Sequence, residues 1–94
     1  MARLVNKKLI QDMRKSWCEK CGQRATGEPH HIFTRGSNGG DIKENLIQLC
    51  GVCHAKAHDG NIVRDELIDI VAKREGIEAE AVVLINRRIQ GRNV

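Results

Sequence analysis

Apolar residues recur along the chain in three different patterns. Between residues 3 and 15, Leu4, Val5, Leu9, Ile10 and Met13 fall at spacings near three and four among Lys, Arg and Asp, which predicts a short amphipathic helix. From 16 to 60 the pattern breaks up, and seven of the nine glycines lie there. Two short β-compatible runs, His31–Thr34 and Leu46–Leu49, flank an evident loop built from Gly36, Ser37, Asn38, Gly39 and Gly40. Val52 to His58 reads as a helix that stops near Gly60. The centre is therefore expected to run strand, loop, strand, helix. Beyond residue 61, Leu67, Ile68, Ile70 and Val71 form a helical stripe with Gly76 as its C-terminal cap. Val82, Ile85 and Ile89 continue at helical spacing across Glu78 to Gln90, although Ala81–Ile85 is also compatible with a strand by propensity. No repeat or low-complexity linker interrupts the 94 residues, so one α+β domain is expected.

A chain this short has a marginal core and needs a staple. Aromatic residues do not supply it, since Trp17 and Phe33 are the only two. Four cysteines stand in two Cys-x-x-Cys pairs, Cys18/Cys21 and Cys50/Cys53. The start, MARLVNKKLIQD, has no apolar signal-like segment, and the longest apolar run is too short for a bilayer. A cytoplasmic location follows as the expectation, with thiols reduced. Four thiolates then make one closed, structural tetrahedral zinc site. Twenty-eight residues lie between the pairs, so the zinc would hold both ends of the strand–loop–strand segment.

All four histidines remain for other chemistry. His54 and His58 are four apart on one helical face, a spacing that lets two imidazoles hold a second metal. His54 is displaced by about 100° around the helix from Cys53, so the two face different sites. His30 and His31 are adjacent, and neighbours on a strand point to opposite faces. One can bind metal while the other acts as a general base, for which neutral imidazole is suited at neutral pH. Asn45 offers an amide to orient that base, or is a turn residue before the second strand.

Charge adds a surface. Residues 1–24 carry seven Lys/Arg against Asp12 and Glu19, a net of +5, whereas 25–60 sum to −1 and 61–94 to zero. A basic N-terminal helix, residues 1–17, is the natural phosphate-facing element ahead of the 18–60 core and a helical 61–94 segment.

The run PHHIFTRGSNGGDIKENLIQLCGVCHAKAH, with its flanking Cys-x-x-Cys pairs, resembles the HNH endonucleases of the zinc-stapled branch. The resemblance implies a ββα-metal, treble-clef-like core with flanking helices. It assigns His31 as general base, Asn45 as the residue fixing that base, and His54 as the helix metal ligand that completes the catalytic set. The His-His pair followed by His-x-x-x-His is similar to the nuclease colicins, which implies that His30, His54 and His58 share the catalytic metal. The implied reaction is single-metal hydrolysis of DNA phosphodiesters, nicking or double-stranded, leaving 5′-phosphate and 3′-hydroxyl ends. Arg35 is a candidate phosphate clamp. Imidazole ligands suit Mn²⁺, Ni²⁺, Co²⁺ or Zn²⁺ better than Mg²⁺. The implied partner is DNA, with no membrane, in settings such as phage DNA packaging or restriction. The rival reading is a non-catalytic zinc module that binds DNA or docks a partner, which would have no use for His31 or the His54/His58 face.

Overall fold

A computed structural model describes residues 3–91. Helix α1 (Lys7–Met13) is capped by Asn6, whose Oδ1 accepts the Leu9 N–H at 3.1 Å, and buries Ile10. The chain then turns back at the first cysteine pair, and an antiparallel bridge joins Trp17 to Arg24. Strand β1 (His30–His31) pairs antiparallel with β2 (Leu46–Ile47), in the register His30↔Ile47 and His31↔Leu46. Between them lie two 3₁₀ turns, Arg35–Ser37 and Lys43–Asn45. Helices α2 (Gly51–Asp59), α3 (Arg64–Glu75) and α4 (Ala79–Ile89) follow.

The α+β expectation and the strand–loop–strand–helix order are both present. The strands are shorter than their apolar runs: Ile32–Thr34 and Gln48–Leu49 leave the ladder. At the Gln48 end the register sets Gln48 opposite Pro29, which has no N–H, and the Gln48 carbonyl accepts the Glu19 N–H at 2.8 Å instead. At the Ile32 end the reason lies in Asn45, whose Oδ1 accepts the Phe33 N–H at 2.6 Å and whose Nδ2 donates to the Phe33 carbonyl at 2.9 Å. A side chain thus takes the place of the next backbone pairing. Helix α1 begins at Lys7 rather than residue 3, because Asn6 turns its N–H to a distant carboxylate instead of continuing a helix. Residues 81–85 are helical within α4, where Val82 is fully buried. Gly76 ends α3 in the left-handed region at φ 69°, as its position predicts.

The core is a single cluster with Phe33, Ile47, Leu67, Val71 and Val82 at its centre, and it includes Cys18, Cys50 and Cys53. The Arg64 guanidinium lies 4.6 Å from the centroid of the Phe33 ring and that of Arg87 lies 5.5 Å from it, tying both C-terminal helices to the loop. Arg74 of α3 reaches Glu19 at 3.0 Å and the Leu46 carbonyl at 2.9 Å, which joins α3 to the cysteine turn and to β2. Helix α2 is the exception to this packing: of its nine residues only Cys53 is buried, and Val52 is 65% exposed.

Candidate metal centre and active site

The sulfur cluster is built by two turns. Gly22 takes φ 81° to close the first pair, and its N–H donates to the Cys18 carbonyl at 2.9 Å. Cys50 stands at the N-cap of α2, where its sulfur accepts the Cys53 N–H at 3.4 Å. All four sulfurs lie within 4.8 Å of one another, and Cys21 and Cys50 are 3.6 Å apart. Tetrahedral Zn–S bonds of about 2.3 Å separate sulfurs by about 3.8 Å, so the set fits a zinc ion. Burial pushes the Cys18 thiol up, but backbone N–H groups from Cys21, Cys50 and Lys20 outweigh it and bring it down to about 7. The Cys53 N–H lowers Cys50 as well. Burial first, and then the neighbouring sulfurs of Cys21, Cys50 and Cys18, drive Cys53 up to about 12.

The second cluster joins β1 to α2. His30, His54 and His58 present nitrogens within 4.8 Å of one another, and the Nε2 atoms of His54 and His58 are 3.1 Å apart. Metal–imidazole bonds of about 2.0–2.1 Å place tetrahedral nitrogens about 3.3 Å apart, so this set also fits one ion. Burial and the neighbouring imidazoles hold His30 down at about 4, and burial with His58 lowers His54. His30 therefore stays neutral well below neutral pH, the form in which imidazole can bind a metal.

His31 is turned away from this cluster. Its Nε2 lies 2.7 Å from Asp41 Oδ1, in a site where Asp41 is 1% exposed. Arg3 Nη1 donates to the same oxygen at 2.6 Å, and the Asn6 N–H donates to Oδ2 at 2.8 Å. Burial raises the Asp41 carboxyl, but Arg3, Asn6 and His31 more than reverse this and hold it at about 2. Neither Arg3 nor Asp41 stands out from sequence patterning. The available signal was that Asp41 is one of two acids between the strands, the other being Glu44.

Asn45 does not touch the His31 ring. Its Nδ2 donates to the Gly40 carbonyl at 3.0 Å as well as to Phe33, so it holds the loop closed directly before Asp41. Its link to His31 runs through that loop and Asp41. Gly39 is required by the loop itself. A Cβ there would lie 1.8 Å from the Phe33 carbonyl oxygen, so the glycine lets the loop close on itself. Arg35 is exposed and shares an open cleft with His30, His31, His54, His58, Thr26 and Gly27.

Residues 18–60 match the family described as HNH endonuclease. A particular relative is the type IV methyl-directed restriction enzyme EcoKMcrA of Escherichia coli (strain K12), 32% identical over 71 residues. The similarity takes in 66% of this chain but 25% of that enzyme, so the chain spans about a quarter of the relative's length. No solved structure matches the chain significantly. Among the described residues, no helix is long and apolar enough to cross a membrane.

Proposed function

We propose that the chain is a metal-dependent endonuclease that hydrolyses DNA phosphodiester bonds. The observation that carries this reading is the division of the two adjacent histidines. His30 joins His54 and His58, while His31 turns to the Arg3–Asp41 pair. A DNA-binding or adaptor module has no need of that arrangement.

His30, His54 and His58 would hold the catalytic ion, and the four cysteines a structural zinc. The ion, when bound, supplies Lewis-acid neutralisation of charge on the phosphate oxygens. The remaining work falls to side chains. Asp41 accepts the His31 Nε2–H, which leaves Nδ1 with the free lone pair. His31 Nδ1 then takes a proton from the attacking water as its oxygen bonds to phosphorus and the bond to the 3′ oxygen breaks. The leaving oxygen takes a proton from solvent, giving 5′-phosphate and 3′-hydroxyl ends. The imidazolium so formed rests against the Asp41 carboxylate, which stabilises it. Asn45 keeps the loop that presents Asp41 in place. Arg35, with no carboxylate in salt-bridge reach among the described residues, is suited to clamp a phosphate.

The family match and the name of the relative support a nuclease that acts in restriction of DNA. The test is incubation of supercoiled plasmid with the protein across divalent metals, beside His31→Ala. Metal-dependent conversion to nicked or linear DNA, lost in the variant, is expected. Equal cutting by the variant, or no cutting with any metal, would refute the reading.

A further inference from the structure

We infer that Trp17, with Arg14 and Arg24, forms a DNA subsite in which the indole stacks on an unpaired nucleobase beside the cleft. This rests on DNA being the substrate. The chain has two aromatic residues, and only Phe33 is placed in the core. Trp17 is 49% exposed. Its backbone is rigid: Cys18 N–H donates to Gln23 O at 2.7 Å and Ala25 N–H to Ser16 O at 3.0 Å, around the cysteine turn. An exposed indole on a hydrogen-bonded backbone is a stacking platform, and stacking tolerates any base because every base has a π-face.

Charge at the same place selects nucleic acid over an apolar partner. Trp17 and Arg24 are cross-strand partners, so their side chains project from the same face. The Lys15 ammonium lies 5.9 Å from the indole centroid. Arg14 and Arg24 have no carboxylate within salt-bridge distance among the described residues. The one acid of the hairpin, Glu19, is turned inward to Arg74 at 3.0 Å and to the Gln48 N–H at 2.7 Å, so it does not oppose a phosphate. The position also suits the cleft. Arg14 Nη2 donates to the Thr26 carbonyl at 2.9 Å, and Thr26 and Gly27 line the cleft that holds the four histidines. A strand crossing that cleft would meet the hairpin at its rim.

Trp17 is the sole tryptophan, so its fluorescence reports this subsite alone. The full-length His31→Ala protein would be titrated with labelled DNA, either fully paired or carrying a short unpaired segment, following tryptophan emission and DNA anisotropy together. Quenching at the same midpoint as the anisotropy change, stronger with the unpaired segment, is expected. Trp17→Ala should weaken binding of that DNA by about 5- to 150-fold, with Trp17→Phe recovering part of the loss. Arg24→Ser should lower the slope of log affinity against log salt by about 0.7–0.9. Because the ring is exposed, circular dichroism should show these variants folded. Binding without any change in emission, or equal affinity for Trp17→Ala, would overturn the subsite and leave the nuclease reading intact. Quenching with paired DNA only would overturn the base-stacking assignment. An absence of DNA binding in any form would defeat both.

Discussion

Replacing Asp41 by Asn changes one atom and should remove most of the activity. Asp41 receives three donors: Arg3 Nη1 and His31 Nε2 on one oxygen, and the Asn6 N–H on the other. An amide can match only part of this set. With its oxygen toward Asn6, its NH₂ faces the arginine and the imidazole; turned over, its NH₂ faces the Asn6 N–H. In the first orientation His31 can accept through Nε2, which moves its proton to Nδ1 and removes the base. The stability cost comes from Arg3, whose side chain is 21% exposed against 0% for Asp41. Breaking a buried pair costs about 3–5 kcal/mol, and Arg3 keeps its bond to the Gly39 carbonyl and some water, so about 2–3 kcal/mol is expected. That lowers the melting temperature by about 10–20 °C for a chain of this size and leaves it folded. The carboxyl gives an independent figure: a folded value of about 2 against an unfolded 3.8 is worth about 2 kcal/mol. Its pKa is depressed, so this stability is present above pH 3.8 and is lost as pH falls toward 2. That window lies below the pH at which the thiolates keep zinc, so the gap in stability between parent and Asp41→Asn should stay constant across near-neutral pH, where the chain is folded. Plasmid nicking should fall about 10²–10⁴-fold, as for loss of the base itself, with calorimetric metal binding retained. The double variant with His31→Ala should be no slower than His31→Ala alone. Cutting by Asp41→Asn within threefold of the parent, or an equal further loss in the double variant, would refute the positioning role.

Three further outcomes follow from the clusters. Cys50→Ser should give an unfolded or aggregated chain by circular dichroism, because a structural zinc contributes roughly 10 kcal/mol or more of folding free energy; a folded, active variant would contradict the staple. Mn²⁺ or Ni²⁺ should support faster nicking than equimolar Mg²⁺, and strict dependence on Mg²⁺ would count against a three-imidazole site. His30→Ala should weaken metal binding in calorimetry and regain part of its activity at higher metal concentration, whereas His31→Ala should bind metal normally and stay inactive; the reverse pattern would exchange their assignments.

What was legible in the sequence was local spacing. Cys-x-x-Cys places two sulfurs on one turn, and His54 and His58 share a helical face by period alone, so these pairs could be read before any fold, whereas the place of His30 beside His54 and His58 came from the family resemblance. The opposite facing of His30 and His31 also follows from strand geometry. The partner of His31 could not be read that way. Arg3 and Asp41 are 38 positions apart, and Asn6 joins them through its backbone, which no pattern of residue types records. The strand lengths failed for a related reason: Asn45 replaces a rung of the ladder with its own amide, and a propensity scan counts apolar residues, not hydrogen bonds. Gly39 was visible as a loop residue, but its contact with the Phe33 carbonyl depends on the closed path of the backbone.

Helix α2 has almost no oil on any side. With only Cys53 buried and Ala57 half-buried one turn on, its apolar stripe is too narrow for the core alone to set its rotation and depth. What seats it is sulfur at its first turn and imidazole along its outer face. The ions those groups are built to hold would act, for this helix, in the place that leucine and valine take in α3 and α4. Chelation should then loosen α2 ahead of its neighbours, and the identity of the bound metals becomes a determinant of tertiary packing as well as of chemistry.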